Sequence, residues 1–134
     1  MKRKNISSGA KWEDVVGYSR AVKAGKQIFV TGTVAVDDNN NVVGKDDVYK
    51  QAKFIIEKIS VILNKLGASL EDVVRTRMYV TDISKWKEIG KAHGEYFGKI
   101  KPATTMIEVK SLISPEYLIE IEFDAVILNE ENNG

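Results

Sequence analysis

Val48, Ala52, Ile55, Ile59, Ile62, Leu63 and Leu66 recur at steps of three and four, so one continuous apolar stripe runs from Asp46 to Leu66. A stripe of that period is one face of an α-helix of about five turns. Lysines and Glu57 occupy the opposite face. A helix with such a stripe must lay it against another layer, so the rest of the chain has to supply a matching surface. Gly67 follows where a helix C-terminus favours a residue that tolerates positive φ.

The flanking segments read as strands. Tyr18 to Ala24 alternates, Gly25-Lys26 makes a turn, and Gln27 to Thr31 is a second, more apolar run, which predicts an opening hairpin. Gly32 directly after this β-branched run marks a backbone that bends or approaches something closely. Ser69-x-x-Asp72 reads as a capped turn leading into the strand Val73–Val80, with Arg75, Arg77 and Tyr79 on one face and Thr76, Met78 and Val80 on the other. A second helix is predicted over 84–97, with Trp86, Ile89, His93, Tyr96 and Phe97 along one stripe. Two last strands, 103–109 and 118–128, are separated by a loop around Ser114-Pro115. The order β-β-α-β-α-β-β predicts an α+β chain with a single sheet and both helices packed on one face. The other sheet face is left bare, and a bare face carrying apolar residues calls for a partner, hence a homo-oligomer.

A length of 134 residues fits one domain, 1–128, followed by a tail, 129–134, with nothing to pack and expected to be disordered. With no cysteine the chain has neither disulfides nor thiolate ligands, which fits a reducing compartment. Neither a signal-peptide core nor an apolar run long enough to cross a membrane is present, so a soluble cytoplasmic protein is expected. Twenty basic and 19 acidic residues leave a formal charge of +1, without the basic stripe of a nucleic-acid binder. The basic cluster at residues 2–4 reads as a solvated tail. Asp37 to Asn41 invites a calcium-loop reading, but Val42 and Val48 stand where that loop needs a glycine and a bidentate glutamate.

The last strand carries the most conspicuous chemistry. Glu120, Glu122 and Asp124 alternate with Ile119, Ile121, Phe123 and Ala125, which puts three carboxylates on one face. They form either a solvated face paired with Arg75 and Arg77, or a set in which one carboxylate handles a proton or a water. His93, the only histidine, lies on an apolar stripe and reads as a packed, hydrogen-bonded core residue rather than a base. One histidine and no cysteine rule out a structural zinc site, and no metal site is expected. Glycine-rich nucleotide motifs are also missing. Arg20, Arg75 and Arg77 on strands could grip a carboxylate bidentately or pair across strands.

Taken in order, Gly17-Tyr18-Ser19 with Ala21-Val22, Phe29-Val-Thr-Gly32, Gly67-Ala-Ser-Leu-Glu-Asp-Val-Val74, Lys101-Pro-Ala-Thr-Thr-Met-Ile-Glu-Val109 and Ile119-Glu-Ile-Glu122 resemble the successive signatures of the RidA/YjgF family (reactive intermediate deaminase A). The similarity spans Tyr18 to Leu128. It implies a chorismate-mutase-like fold, a homotrimer whose sheets form a central barrel, and three small-molecule pockets in the clefts between subunits. It also implies cofactor-free hydrolysis of enamines and imines, such as 2-aminoacrylate, to keto acids and ammonia. Residue by residue, the pocket tyrosine falls at Tyr18, the strand glycine at Gly32 and the water-positioning glutamate at Glu120.

The chain departs from that pattern at three positions. The arginine that clamps the substrate carboxylate falls at Thr104, the cysteine two residues later at Met106, and a helix asparagine at Gly90. A hydroxyl cannot replace a bidentate charged contact, and each hydrogen bond to a charged group is worth about 1.5–3 kcal/mol. The resemblance is therefore to the arginine-less branches, with Arg20 or Arg77 as alternative sources of positive charge for a keto acid or imine ligand. The competing reading is a non-catalytic metabolite-binding or regulatory trimer. Endoribonuclease activity, a third label carried by relatives, fits the near-neutral charge poorly.

Overall fold

The computed structural model describes residues 2–128, and the expected disordered tail lies outside the described residues. Strand β1 (Arg3–Ile6) is followed by a π-helical turn (Glu13–Gly17) and the hairpin of β2 (Ala21–Ala24) and β3 (Gln27–Thr33). Helix α1 (Val48–Lys65), β4 (Val73–Val80), helix α2 (Trp86–Phe97), β5 (Ala103–Glu108) and β6 (Ile119–Val126) complete the order. The expected elements are all present, with one strand added in front. The basic cluster expected as a solvated tail runs into β1, where Arg3 pairs with Ala24 and Ile6 with Ala21. Backbone pairing at a sheet edge requires no apolar side chains, so this strand has no hydrophobic pattern to announce it.

The six strands form one mixed sheet in the order β1-β2-β3-β6-β4-β5. Only β4 and β5 pair in parallel, in the register Thr76 to Thr104 and Met78 to Met106. β6 inserts antiparallel between β3 and β4, so the C-terminal strand closes the middle of the sheet.

α1 starts where the Asp47 side chain accepts a hydrogen bond from Lys50 N and ends before Gly67, which takes φ of +81°. Its apolar stripe is buried, with Ile55, Ile56, Ile59 and Leu63 at 0% exposure. They pack with Ile89, Ala92 and Phe97 of α2 onto Ile28, Met78, Val80, Ile119, Ile121 and Phe123 of the sheet. Both helices therefore cover one face. In α2 the stripe reaches the core only from Ile89 onward, and Trp86 in the first turn stays half exposed.

Gln51 is one of the buried polar side chains. Fully buried, it donates to the carbonyls of Gly44 and Glu116 and accepts from Leu118 N, tying two loops to α1. The Ser69 to Asp72 segment forms the expected capping box.

Opposite the helices the sheet is open. Register puts Phe29, Arg77, Tyr79, Ile107, Glu120, Glu122 and Asp124 on that face, where Phe29 and Ile107 are about half exposed.

Candidate active site

β6 buries Ile119, Ile121, Phe123 and Ala125 and turns Glu120, Glu122 and Asp124 to the open face. The three carboxylates are not equivalent. Arg77 lies 3.5 Å from Glu122 and 3.2 Å from Asp124, and the Tyr79 hydroxyl donates to Glu122 at 2.7 Å. The cross-strand pairing weighed from the sequence thus holds for two of the three. Among the described residues Glu120 has neither a hydrogen-bond donor nor an ion pair. Burial and the neighbouring Glu122 charge push its pKa up from the ordinary carboxylate value.

Gly32 is shaped around this side chain. A Cβ built there would stand 2.1 Å from Glu120 Oε2, closer than any real contact. The β3–β6 register shifts between Val30 and Thr33, so the strand bulges where the carboxylate approaches. This is the close approach expected at Gly32. Tyr18 follows Gly17, whose φ of +94° ends the π-helical turn, and Tyr18 N donates back to Glu13 O. The turn is anchored by the buried Glu13 carboxylate, which accepts from Ser8 N and Ser8 Oγ. Tyr18, Phe29, Thr31, Glu122 and Asp124 line an open cleft of about 700 Å³ on this face.

Arg20 donates from Nη1 to Thr33 Oγ1 at 3.0 Å, and its buried Nε has no partner. Thr33 is the register partner of buried Ile121, so that guanidinium is drawn toward the helix-covered side. Arg77 is held by Glu122 and Asp124.

The positions where the family pattern is broken form a second group. Thr104 and Met106 sit on the edge strand β5 in register with Thr76 and Met78, on the helix-covered face. Gly90 is exposed on α2, with open space where a side chain would begin. Thr76, fully buried, bonds to Thr104 Oγ1 and to His93 Nε2, both at 2.9 Å. His93 also stacks near Phe97, with ring centroids 4.7 Å apart, and burial lowers its pKa. The packed, hydrogen-bonded histidine read from the sequence is thus present, but its partner was not foreseen. Only the parallel β4–β5 register brings Thr76 beside Thr104, and no short-range pattern encodes that pairing.

Within one chain the two groups do not meet. β4 separates β5 from β6, and Glu120 and Thr104 face opposite sides of the sheet. No cluster of metal-ligating side chains occurs among the described residues.

A one-sided mixed sheet with an unpaired carboxylate against a strand glycine defines a small α+β domain with its polar site on the open face. Residues 8–127 match the family model described as Endoribonuclease L-PSP. A RutC family protein of Pyrococcus abyssi is 40% identical over 105 residues, covering 78% of this chain and 82% of that one. The 3-aminoacrylate deaminase RutC of Acinetobacter baylyi is 35% identical over 104 residues, with the same coverage. Among solved structures, Rv2704 of Mycobacterium tuberculosis, described as a member of the YjgF/YER057c/UK114 family, superposes with a TM-score of 0.85 at 46% identity, covering 94% of this chain and all of its own. The chain belongs to the YjgF/RidA family.

Proposed function

We propose that the protein is a cytoplasmic homotrimer that hydrolyses an enamine or imine metabolite in clefts between subunits, without a cofactor, with Glu120 as the working carboxylate. The observation that carries this reading is the isolation of Glu120. It is half buried, unpaired and of raised pKa beside a glycine that leaves room for it. Such a carboxylate takes a proton from a water that attacks the C=N carbon, and returns it to the departing nitrogen. The carbonyl product and ammonia account for all atoms of imine and water. Gly32 gives Glu120 its space, and Tyr18 lines the neighbouring cleft with Glu122 and Asp124. Thr104 and Met106 face the other side of the sheet and Gly90 lies exposed on α2, so they join that cleft only when supplied by a neighbouring subunit. The open face with Phe29 and Ile107 is the surface through which copies associate. A similarity to an enzyme described as a 3-aminoacrylate deaminase supports the reaction class.

The test is ammonia release from 2-aminoacrylate and a panel of small imines, by wild type and by Glu120→Ala. Turnover that falls at least about 100-fold in the variant supports the proposal. Equal rates in the two proteins would remove Glu120 from the mechanism.

Thr104 motivates the second reading, a metabolite-binding trimer without turnover, because no guanidinium stands there to clamp a carboxylate. It predicts ligand-dependent thermal stabilisation with no product formed. The endoribonuclease reading has less to rest on, since the open face presents three carboxylates where a phosphate backbone needs cations.

A further inference from the structure

The Thr104 side chain belongs to a three-member hydrogen-bonded chain whose direction follows from donor counting. Thr104 Oγ1 lies 3.2 Å from the carbonyl oxygen of Pro102, which only accepts, so the single Thr104 proton goes there. Thr76 Oγ1, 2.9 Å away, must then donate to Thr104. Having spent its proton, Thr76 accepts from His93 Nε2 at 2.9 Å, which requires hydrogen on that ring nitrogen. Thr76 is fully buried, so no solvent competes for its hydroxyl. Thr104 itself is exposed, and with its proton committed and one lone pair taken it turns only a lone pair outward. The half-buried Met106, next on the same face, gives it an apolar neighbour.

We propose that His93 and Thr76 are positioning residues that lock the Thr104 hydroxyl as a hydrogen-bond acceptor, so that this wall of the site selects a ligand presenting an N–H donor, an amide or amine, over one presenting a carboxylate. A carboxylate has only acceptors and meets a lone pair at Thr104. An amide of the same shape meets a partner. The inference rests on the small-molecule reading of the site and adds the polarity of the group that occupies it.

His93 is the only histidine, so its ring nitrogens can be read without assignment in two-bond ¹H–¹⁵N spectra of the intact protein. The Nε2–H tautomer is expected at neutral pH. The Nδ1–H tautomer would reverse the chain and overturn the proposal, whatever the protein binds.

The second arm titrates pyruvamide and pyruvate, matched in shape, into wild type, Thr76→Val and Thr76→Ser. One hydrogen bond gained or lost predicts a preference for the amide of about 5–10-fold in wild type. The preference should collapse toward unity in Thr76→Val and return in Thr76→Ser, a rescue that packing alone does not produce. Equal affinities in wild type, or a preference unchanged in Thr76→Val, overturn the selectivity while leaving the ligand site standing. Failure of both compounds to bind, with the Nε2–H tautomer present, overturns the small-molecule reading and the selectivity with it.

Discussion

In the proposed mechanism, one methyl group at Gly32 separates a folded protein from a working one. An alanine Cβ there would collide with Glu120 Oε2, the far end of a flexible side chain, so the carboxylate moves and the backbone does not. Gly32→Ala is expected to keep its thermal midpoint near that of wild type while losing about 100-fold in turnover, the usual cost of displacing a reacting group by an ångström. A large drop in midpoint would show that the bulge, and not the carboxylate, is what the glycine serves. His93 gives a pH dependence. Burial lowers its pKa below the unfolded value of 6.5, so below that pH the unfolded chain binds more protons than the folded one. Stability therefore falls as pH drops from about 6.5 through the lowered folded value. Urea midpoints at pH 7.5 and 5.5 should diverge in wild type and converge in His93→Gln. An unchanged gap in the variant would assign the effect to other groups. Glu120 was visible as one tooth of an acidic comb. What isolated it, the engagement of Glu122 and Asp124 by Arg77 and Tyr79, depends on partners 43 to 47 residues earlier in the chain, about which alternation along β6 says nothing.

Among the elements, α1 was the most legible because its period repeats over 18 residues and its burial follows that period. β1 was the least legible. Four residues, three of them polar, pair with β2 through the backbone, and only Ile6 packs against the core, too little for a side-chain pattern. Gln51 shows the same limit inside the clearest helix. It occupies a core position that the apolar stripe passes over, and it holds the loops at Gly44 and at 116–118 against α1. Replacing it with leucine keeps the volume and strands two part-buried backbone groups, Glu116 O and Leu118 N, each costing about 1–3 kcal/mol when left unpaired, while Gly44 O keeps Asp47 N. Gln51→Leu is expected to lose about 2–5 kcal/mol in equilibrium unfolding, relaxation recovering part of that cost. A loss below about 1 kcal/mol would mean that solvent reaches those two groups.

For the whole molecule the open sheet face decides the outcome. A trimer has three times the 15.0 kDa mass of the chain in light scattering. Phe29→Asp, at a position about half exposed in the single chain, should leave the fold intact and reduce the particle to one chain. Ammonia release should disappear with it, since Glu120 and Thr104 face opposite sides of one sheet. Full activity in a monomeric variant would show that one chain holds a complete site. By itself the sequence determined the number and type of the main elements, the buried side of each, and the existence of a bare sheet face. These follow from periods of 2 and 3.6 residues, which are local. Tertiary structure alone decided that β6 enters between β3 and β4, that Glu120 is left unpaired, and that Thr104 is wired through Thr76 to His93. Those are matters of strand order and register, set by which distant segments pair, and no window along the chain contains them.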